Sequence, residues 1–406
     1  MEKNQKKILF VIPYLADGGA ERALSNITTH WDDDWEIDIL VNSSLVMDYA
    51  YRGNIISLNI DKEKKVDSVW FQLKVLLKRI RKLRLLKKQN GYEACISFID
   101  SANIANILSG NKKCKTIISI RASLNTSGRK KFQYRYFINP LARCLYNYSD
   151  KVVSVSSELK KELVEYFKLR ESKIVVIQNG YDTKLIKKDA EKNVDRVNFY
   201  CSDNITTFIS AGRITSQKYQ WHLIRAFAAV TRKISNVLLV IAGDGVLKEY
   251  LEKLVQKEGV SEKVLFTGQV DNLYSYYYKS DICVLPSGWE GFPNALAEAM
   301  CVGLPCIATD FHTGAREILA PELLNDDKPV EDIVKATYGI LTPLCSGTKY
   351  EGNEPLEPAE EKLAEAMIEM LENDELREHY KKQSIVRSES YSIDDAVKKW
   401  INLITE

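Results

Sequence analysis

The stretch DICVLPSGWEGFPNALAEAM (281–300) sets the reading of the whole chain. Its opening, DICVLP, is a short apolar run closed by Pro286, the pattern of a strand buried on both faces. Its end is helical, with Ala295, Leu296, Ala299 and Met300 recurring at the spacing of one helix face. Pro293 suits the first turn of that helix, where a missing N–H costs nothing. The loop between them follows the carboxyl end of a strand and carries Glu290; Glu298 lies eight positions on, inside the helix. A helix start leaves backbone N–H groups unpaired and bears partial positive charge, so it suits a phosphate. An ordinary amphipathic helix after a turn fits the same residues.

Working outward, the same alternation of strand and helix fills the chain. KILFVI (7–12), EIDILV (36–41), EACISFI (93–99), KTIISI (115–120), KVVSVS (151–156) and KIVVIQNG (173–180) read as strands, with helical patterns at 18–31, 67–89, 101–109 and 157–168. The polar stretch 182–204 interrupts the pattern, which restarts with TTFISAG (206–212), VLLVIAG (237–243), KVLFTG (263–268), DICVLP, PCIAT (305–309) and YGILT (338–342), and two helices close it. Strands buried on both faces and joined by helices predict a parallel, doubly wound α/β sheet, here twice over. A length of 406 residues also exceeds one ordinary core. TPLCSGTKYEGNEPLEP (342–358) reads as a surface loop.

Composition points the same way. A hydrophobic share of 45% and a charged share of 28% describe a globular chain. The net charge of +2 conceals an asymmetry: residues 1–180 hold 31 Lys+Arg against 19 Asp+Glu, or +12, leaving 26 against 36, or −10, for the rest. The eight cysteines form no Cys-x-x-Cys and no zinc-like spacing, so buried free thiols in a reducing compartment are expected. KKILFVIPYLA (6–16) imitates a short signal peptide, but the charged DGGAER that follows makes it a first strand. No apolar run nears the roughly 18–20 residues that span a bilayer, and a cytoplasmic location is expected.

Several loops carry candidate chemistry. SAGRITSQK (210–218) supplies Arg213, which can grip a phosphate with two N–H groups, and Lys218, a compact cation; solvated surface charge is the plain alternative. GGAER (18–22) opens a helix with two glycines that let a ligand approach the backbone. GDG (243–245) lacks the third glycine of a dinucleotide fingerprint, and none follows the first strand, which disfavours a dehydrogenase. DDD (32–34) reads as a solvated turn rather than a metal site. His312, in DFHTGARE, reads as a polar loop residue.

Taken together, GGAER, NGYD (179–182), AGR…K (212–218), AGDG (242–245), EGFPNALAEAM, GLPCIATDFHTGAREIL and YGILTP resemble glycosyltransferase family 4, and the resemblance runs nearly end to end. It implies a retaining enzyme of the GT-B fold, with two Rossmann-like domains facing a central cleft. Residues 1–185 would bind the acceptor, residues 186–389 the nucleotide-sugar donor, and a helix within 390–406 would return to the first domain. The resemblance places Glu298 on the ribose hydroxyls, Glu290 at the donor sugar, and Arg213 and Lys218 on the departing diphosphate. Phe292, Pro293, Asn294 and Ala295 would meet the donor sugar or its phosphates. Gly18 and Gly19 would close over the diphosphate, and Val270 would lie by the base. Neither a protein nucleophile nor a metal is implied. Where many relatives carry a first-domain His, this chain has IRASLNTSG, leaving Arg121 as a sugar- or acceptor-site candidate. QKY (217–219) also replaces the more usual Gln-Lys-Gly.

The EGFPNAL variant resembles members that build bacterial polysaccharides and lipid-linked oligosaccharides, often from a UDP-hexose or UDP-N-acetylhexosamine. A nucleotide-sugar epimerase, a sugar phosphorylase and a non-catalytic nucleotide-sugar-binding subunit are the alternatives. Residues 61–92 hold 11 Lys+Arg against three Asp+Glu, with Trp70, Leu73, Leu76, Leu77, Ile80 and Leu83 as an apolar stripe. The stripe fits a helix packed on its sheet; the charge fits a surface resting on the anionic inner face of a membrane, extended by GRKKFQYRY (128–136). No nucleic-acid motif accompanies it.

Overall fold

A computed structural model describes residues 5–16, 18–45, 47–60, 69–123, 139–192, 205–311 and 313–406. The chain divides into two compact units, residues 1–180 with 393–406, and residues 181–392. These divisions lie a few residues from the expected 185/186 and 389/390, because residue 185 falls inside a helix capped by Asp182, whose side chain accepts from the Leu185 amide at 2.9 Å.

The first unit runs β1 (Lys6–Val11), α1 (Gly19–Thr29), β2 (Trp35–Val41), β3 (Asn54–Ser57), α2 (Val69–Gln89), β4 (Ala94–Phe98), α3 (Asp100–Ser109), β5 (Lys115–Ile120), α4 (Asn139–Leu145), β6 (Lys151–Ser154), α5 (Ser157–Glu165) and β7 (Ile174–Val176). Its sheet order is β3-β2-β1-β4-β5-β6-β7, parallel throughout. Alternate side chains of β1 serve opposite faces, as strand geometry requires. Ile8 and Phe10 join one core with Trp31 and Phe98, while Leu9 and Val11 join another with Leu83 and Leu86 of α2.

The second unit runs α6 (Thr183–Ala190), β8 (Thr206–Ala211), α7 (Gln220–Lys233), β9 (Val237–Ala242), α8 (Lys248–Lys257), β10 (Val264–Gly268), α9 (Leu273–Tyr278), β11 (Ile282–Leu285), α10 (Asn294–Cys301), β12 (Cys306–Thr309), α11 (Ala315–Leu319), β13 (Val334–Lys335), β14 (Ile340–Thr342), α12 (Pro358–Glu372) and α13 (Asp374–Glu389). Its sheet order is β10-β9-β8-β11-β12-β14-β13, parallel except for β13. Phe208, Leu239, Val284 and Ile340 meet Phe227 of α7 and Leu363 and Met367 of α12 in its core. Both sheets are doubly wound, with strand order reversing between β1 and β4 and between β8 and β11. Ligands of such sheets bind beyond the carboxyl ends of the strands at that reversal.

A third closing helix, α14 (Ile393–Thr405), belongs to the first unit. Val397, Trp400 and Leu403 lie in its core, and the Trp400 ring is 6.0 Å from that of Phe98. Truncating such a side chain costs about 3–5 kcal/mol.

Three sequence readings need correction. Pro293 is the N-cap of α10, one position before the first turn; its carbonyl accepts from Leu296 and Ala297. The stripe on α2 is split: Leu83 is buried, but Trp70 is 75% exposed and Leu73 and Leu77 also face outward. Two cations point inward instead. Arg79 donates to Asn42 Oδ1 at 2.6 Å and Ser101 Oγ at 3.2 Å, and Lys87 donates to Asn106 Oδ1 at 2.7 Å. Finally, Cys144 is exposed, whereas the other described cysteines are buried and free; Cys201 lies outside the described residues, as do 61–68 and 128–136.

Candidate functional site

The second unit brings two candidate residues together at its strand-order reversal. Lys218 follows β8 and Glu290 follows β11, the two strands that flank the crossover. Lys218 Nζ lies 2.6 Å from Glu290 Oε1, with both side chains largely buried. Ser287 Oγ donates to the same oxygen at 2.9 Å, and Gln217 Nε2 donates to Oε2 at 2.9 Å and to the Trp289 carbonyl at 2.8 Å. The carboxylate is therefore held at both oxygens. An ammonium has three donors, so Lys218 keeps two beyond the Glu290 contact.

Backbone geometry makes room for the pair. Gly212 has φ +139, and a Cβ there would stand 2.9 Å from Lys218 Cε. Gly243 (φ +141) lies tighter still, its would-be Cβ 2.2 Å from the Gly212 carbonyl oxygen. These two glycines let the loops after β8 and β9 close on one another. Ile214 N donates to Asp244 O at 2.8 Å, and Gly243 N donates to Gly268 O at 3.0 Å, linking three successive strand ends. Arg213, in the same loop, is exposed, and its side chain has no hydrogen-bond or ion-pair partner among the described residues.

The loop after β12 buttresses the Glu290 loop. Thr313 donates its hydroxyl to the Glu290 carbonyl, and Gly314 (φ +98) admits Pro293, whose Cδ would lie 2.5 Å from a Cβ at that position. Asp310 and Arg316 anchor this loop through two parallel bonds, Nε to Oδ1 at 2.7 Å and Nη2 to Oδ2 at 2.6 Å. His312 lies outside the described residues.

The other donor-side candidates spread over the same edge. Glu298 sits in α10, 1% exposed. The Asn294 amide donates to Phe292 O at 3.0 Å and its side chain accepts from the Tyr181 hydroxyl at 2.5 Å, so it is already engaged. The amides of Phe292, just ahead of the N-cap, and of Ala295, in the first turn, have no protein acceptor among the described residues. The Phe292 ring is buried against Tyr391, centroids 5.4 Å apart, which leaves only its backbone for a ligand. Val270 lies half-buried two residues past β10.

The remaining candidates belong to the first unit. Gly18 precedes α1 in extended backbone, where a Cβ would stand 2.2 Å from Glu21 Oε2, and Gly19 begins the helix. Arg121, after β5, donates to Asn179 Oδ1 and lies over the Phe98 ring at 5.4 Å. Ile99, after β4, holds φ 75, a strained value for a β-branched residue, at this unit's own strand-order reversal.

Residues 342–358, read from sequence as a surface loop, are tied down behind the Lys218–Glu290 pair. Trp221 Nε1 donates to Thr348 O at 2.8 Å, Gly347 N donates to His222 Nε2 at 3.2 Å, and the buried Arg225 donates to Pro355 O at 2.7 Å. Among the described residues, His222, Cys345 and Glu357 are the trio with metal-ligand chemistry, their ligand atoms within 4.8 Å of one another. Each is already committed. His222 Nδ1 is 2.8 Å from Glu360 Oε1, and Glu357 accepts from the Ser346 hydroxyl at 2.6 Å and the Tyr350 hydroxyl at 2.9 Å. Burial, then the Glu357 and Glu360 carboxylates, push the Cys345 thiol up, so it stays neutral rather than the thiolate a metal takes. The trio is an anchor for the segment. The Asp32–Asp34 turn is solvated, as expected, with Asp33 paired to Arg52.

Sequence reasoning did not single out Gln217, Ser287, Thr313 or Tyr219. Gln217 and Tyr219 flank Lys218, and the unusual QKY was the one signal available.

Two Rossmann-like units, each a doubly wound parallel sheet, have the architecture of the GT-B fold. The chain's likeness to solved structures agrees: the Anabaena HepE protein, crystallised in complex with UDP, superposes with a TM-score of 0.72 at 17% identity, covering 98% of this chain and 99% of that one. Residues 17–185 match the profile of Glycosyltransferase Family 4, and residues 191–337 that of Glycosyl transferases group 1. An uncharacterized glycosyltransferase of Methanocaldococcus jannaschii is 31% identical over 403 residues, 95% of this chain and 98% of the relative. A Campylobacter jejuni N-acetylgalactosamine-N,N'-diacetylbacillosaminyl-diphospho-undecaprenol 4-alpha-N-acetylgalactosaminyltransferase is 25% identical over 389 residues, 95% of this chain and 96% of the relative. The chain belongs to glycosyltransferase family 4, and the transferase reading stands over the epimerase, phosphorylase and non-catalytic alternatives.

Proposed function

We propose that this glycosyltransferase moves a hexose or N-acetylhexosamine from a UDP-sugar to a saccharide carried on a lipid diphosphate, with retention and without a metal. The observation that carries the reading is the convergence of Lys218 and Glu290, with exposed Arg213 in the same loop as Lys218, beyond the strands that flank the crossover. The second unit would bind the donor and the first the acceptor. The Campylobacter relative's name, which specifies a diphospho-undecaprenol acceptor and N-acetylgalactosaminyl transfer, supports the choice of substrates.

In this reading the C1–O bond to the diphosphate breaks while an acceptor hydroxyl attacks C1 from the same face. The hydroxyl proton passes to the departing phosphate oxygen, so no protein nucleophile is needed. Lys218, Arg213 and the Phe292 and Ala295 amides neutralise the charge that grows on the diphosphate. Those cations supply the charge that a metal supplies in other transferases. Glu290, held at both oxygens, orients the donor sugar's hydroxyls, and Glu298 accepts from the ribose.

The outer face of α2 supports peripheral membrane contact. Val69, Trp70, Leu73, Leu77 and Leu85 are exposed, on a helix with eight Lys+Arg and no acid. Such a face suits the boundary of an anionic bilayer, where each nearby base adds about 1 kcal/mol. Among the described residues no helix is long and apolar enough to cross a membrane.

The test is thermal stabilisation by UDP, GDP, ADP and their sugars, with and without EDTA. Stabilisation by one UDP-sugar, indifferent to EDTA, is expected. No shift with any nucleotide would sink the donor-site assignment, and a shift abolished by EDTA would sink the metal-free one.

A further inference from the structure

Tyr219 stands where the backbone favours glycine. Its φ of 52 and ψ of 26 are left-handed, a costly conformation for a bulky side chain. What holds it there is its ring. The ring centroid is 4.9 Å from that of Trp221, 5.6 Å from His222 and 5.9 Å from Trp289, the last edge-on at 89°. Two glycines vacate the space it fills. A Cβ at Gly288 would stand 2.5 Å from Tyr219 Cζ, and one at Gly347 would stand 2.3 Å from the phenolic oxygen. The ring is thus wedged between the loop that carries Glu290 and the anchored segment 342–358.

We propose that Tyr219 is a positioning residue for the diphosphate cation: its wedged ring fixes the backbone of Lys218 and of Gly288–Glu290 together, so that the ammonium meets the diphosphate already aligned. The inference rests on the reading that Lys218 binds the diphosphate. Both ends of the Lys218–Glu290 pair lie one or two residues from a surface the ring touches. Gly288 N also donates to Gln217 O at 2.8 Å, joining the same two segments through the backbone. The segment on the ring's far side is itself held by hydrogen bonds with Trp221, His222 and Arg225.

The experiment uses the full chain with Tyr219→Phe, Tyr219→Ala, Tyr219→Gly, Lys218→Ala and the Lys218→Ala/Tyr219→Ala double variant. Calorimetric titration with UDP and with uridine, and with the GDP and ADP pairs if UDP fails to bind, gives the ratio of nucleoside to nucleoside-diphosphate dissociation constants. That ratio reports the grip on the diphosphate alone, and a general folding defect would not move it selectively. Lys218→Ala should lower it about tenfold, as loss of a charged hydrogen bond does. Tyr219→Ala and Tyr219→Gly should lower it at least about fivefold with nucleoside affinity unchanged, Tyr219→Phe should preserve it, and the double variant should be no worse than Lys218→Ala. Glycine accepts the left-handed backbone, so Tyr219→Gly removes the ring without the strain. A ratio kept by Tyr219→Ala and Tyr219→Gly but lost by Lys218→Ala would overturn the positioning role, as would additive losses in the double variant. No change in Lys218→Ala, or no nucleotide binding at all, would instead overturn the diphosphate reading and the inference with it.

Discussion

Lys218 Nζ and Glu290 Oε1 stand 2.6 Å apart across 72 residues of sequence, joining the loops after two adjacent strands. A largely buried ion pair adds little net stability, because desolvation offsets the attraction. Its worth here is geometric. The pair presents one cation and one carboxylate, mutually fixed, and in the proposed function these meet the donor's diphosphate and sugar hydroxyls.

Glu290→Gln keeps the shape of the side chain but not its charge. Turnover should fall roughly 100-fold, while UDP affinity holds or tightens because Lys218 loses a competitor for the diphosphate. Steady-state rates beside calorimetric UDP binding check this; an undiminished rate constant would remove Glu290 from the reaction.

Arg213→Ala should leave the melting temperature unchanged, since the exposed guanidinium has no side-chain partner among the described residues to lose. Turnover should nevertheless drop about 10- to 1,000-fold, as expected for losing charge stabilisation in the transition state. Normal turnover would show that Lys218 and the loop amides suffice.

Much of this was legible in sequence, and the limits have physical causes. The central strands read correctly because strands buried on both faces are continuous apolar runs. β3 (NIIS) and the two-residue β13 were missed, being short edge strands with few apolar residues. On α2, Trp70, Leu73 and Leu77 share a helical period with Leu76, Ile80 and Leu83, and periodicity alone cannot say which of two broad faces turns inward. The face that turns inward carries Leu83 and Leu86 together with Arg79 and Lys87, whose partners lie on distant segments. Segment 342–358 reads as loop because its anchors, Trp221, His222 and Arg225, lie more than 100 positions away. Arg213, Lys218, Glu290 and Glu298 were candidates by motif; Gln217 and Ser287, which hold the Glu290 carboxylate in place, have no motif of their own.

Arg316→Ala should destabilise the second unit by about 3–5 kcal/mol, because it leaves the Asp310 carboxylate buried without its cation. A fall in melting temperature of several degrees, and a looser Glu290 loop, should follow. Scanning calorimetry with bound and free UDP would test both; a shift of under a degree would show that the neighbouring backbone amides carry the charge.

Acid should loosen segment 342–358. Burial pushes the Glu357 carboxyl up, but the Ser346 hydroxyl and amide, His222 and Tyr350 outweigh it and hold it below its ordinary value. A carboxyl depressed on folding stabilises fully above its unfolded value and ceases to as pH falls through the folded one. Wild type should therefore be more stable than Glu357→Gln at pH 7, with the gap closing below about pH 4. Melting curves from pH 7 to 3 measure it; a gap independent of pH would assign the difference to packing.

Replacing Trp70, Leu73 and Leu77 together by serine should leave the fold intact, since all three are exposed. Sedimentation with phosphatidylglycerol vesicles should drop sharply, and with phosphatidylcholine vesicles should be weak throughout. Equal sedimentation of variant and wild type would exclude this face as the contact.

The helix that completes the first core has a consequence for biosynthesis. Trp400 and its neighbours are translated after the 212 residues of 181–392, so the core they fill stays open during that interval. At roughly 5–20 residues per second, that is about 10–40 s on the ribosome. The second unit, whose own residues are contiguous, has all its sequence first. The protein's later-encoded half should thus fold ahead of its earlier one, and the nascent first half is where a chaperone would find exposed apolar surface.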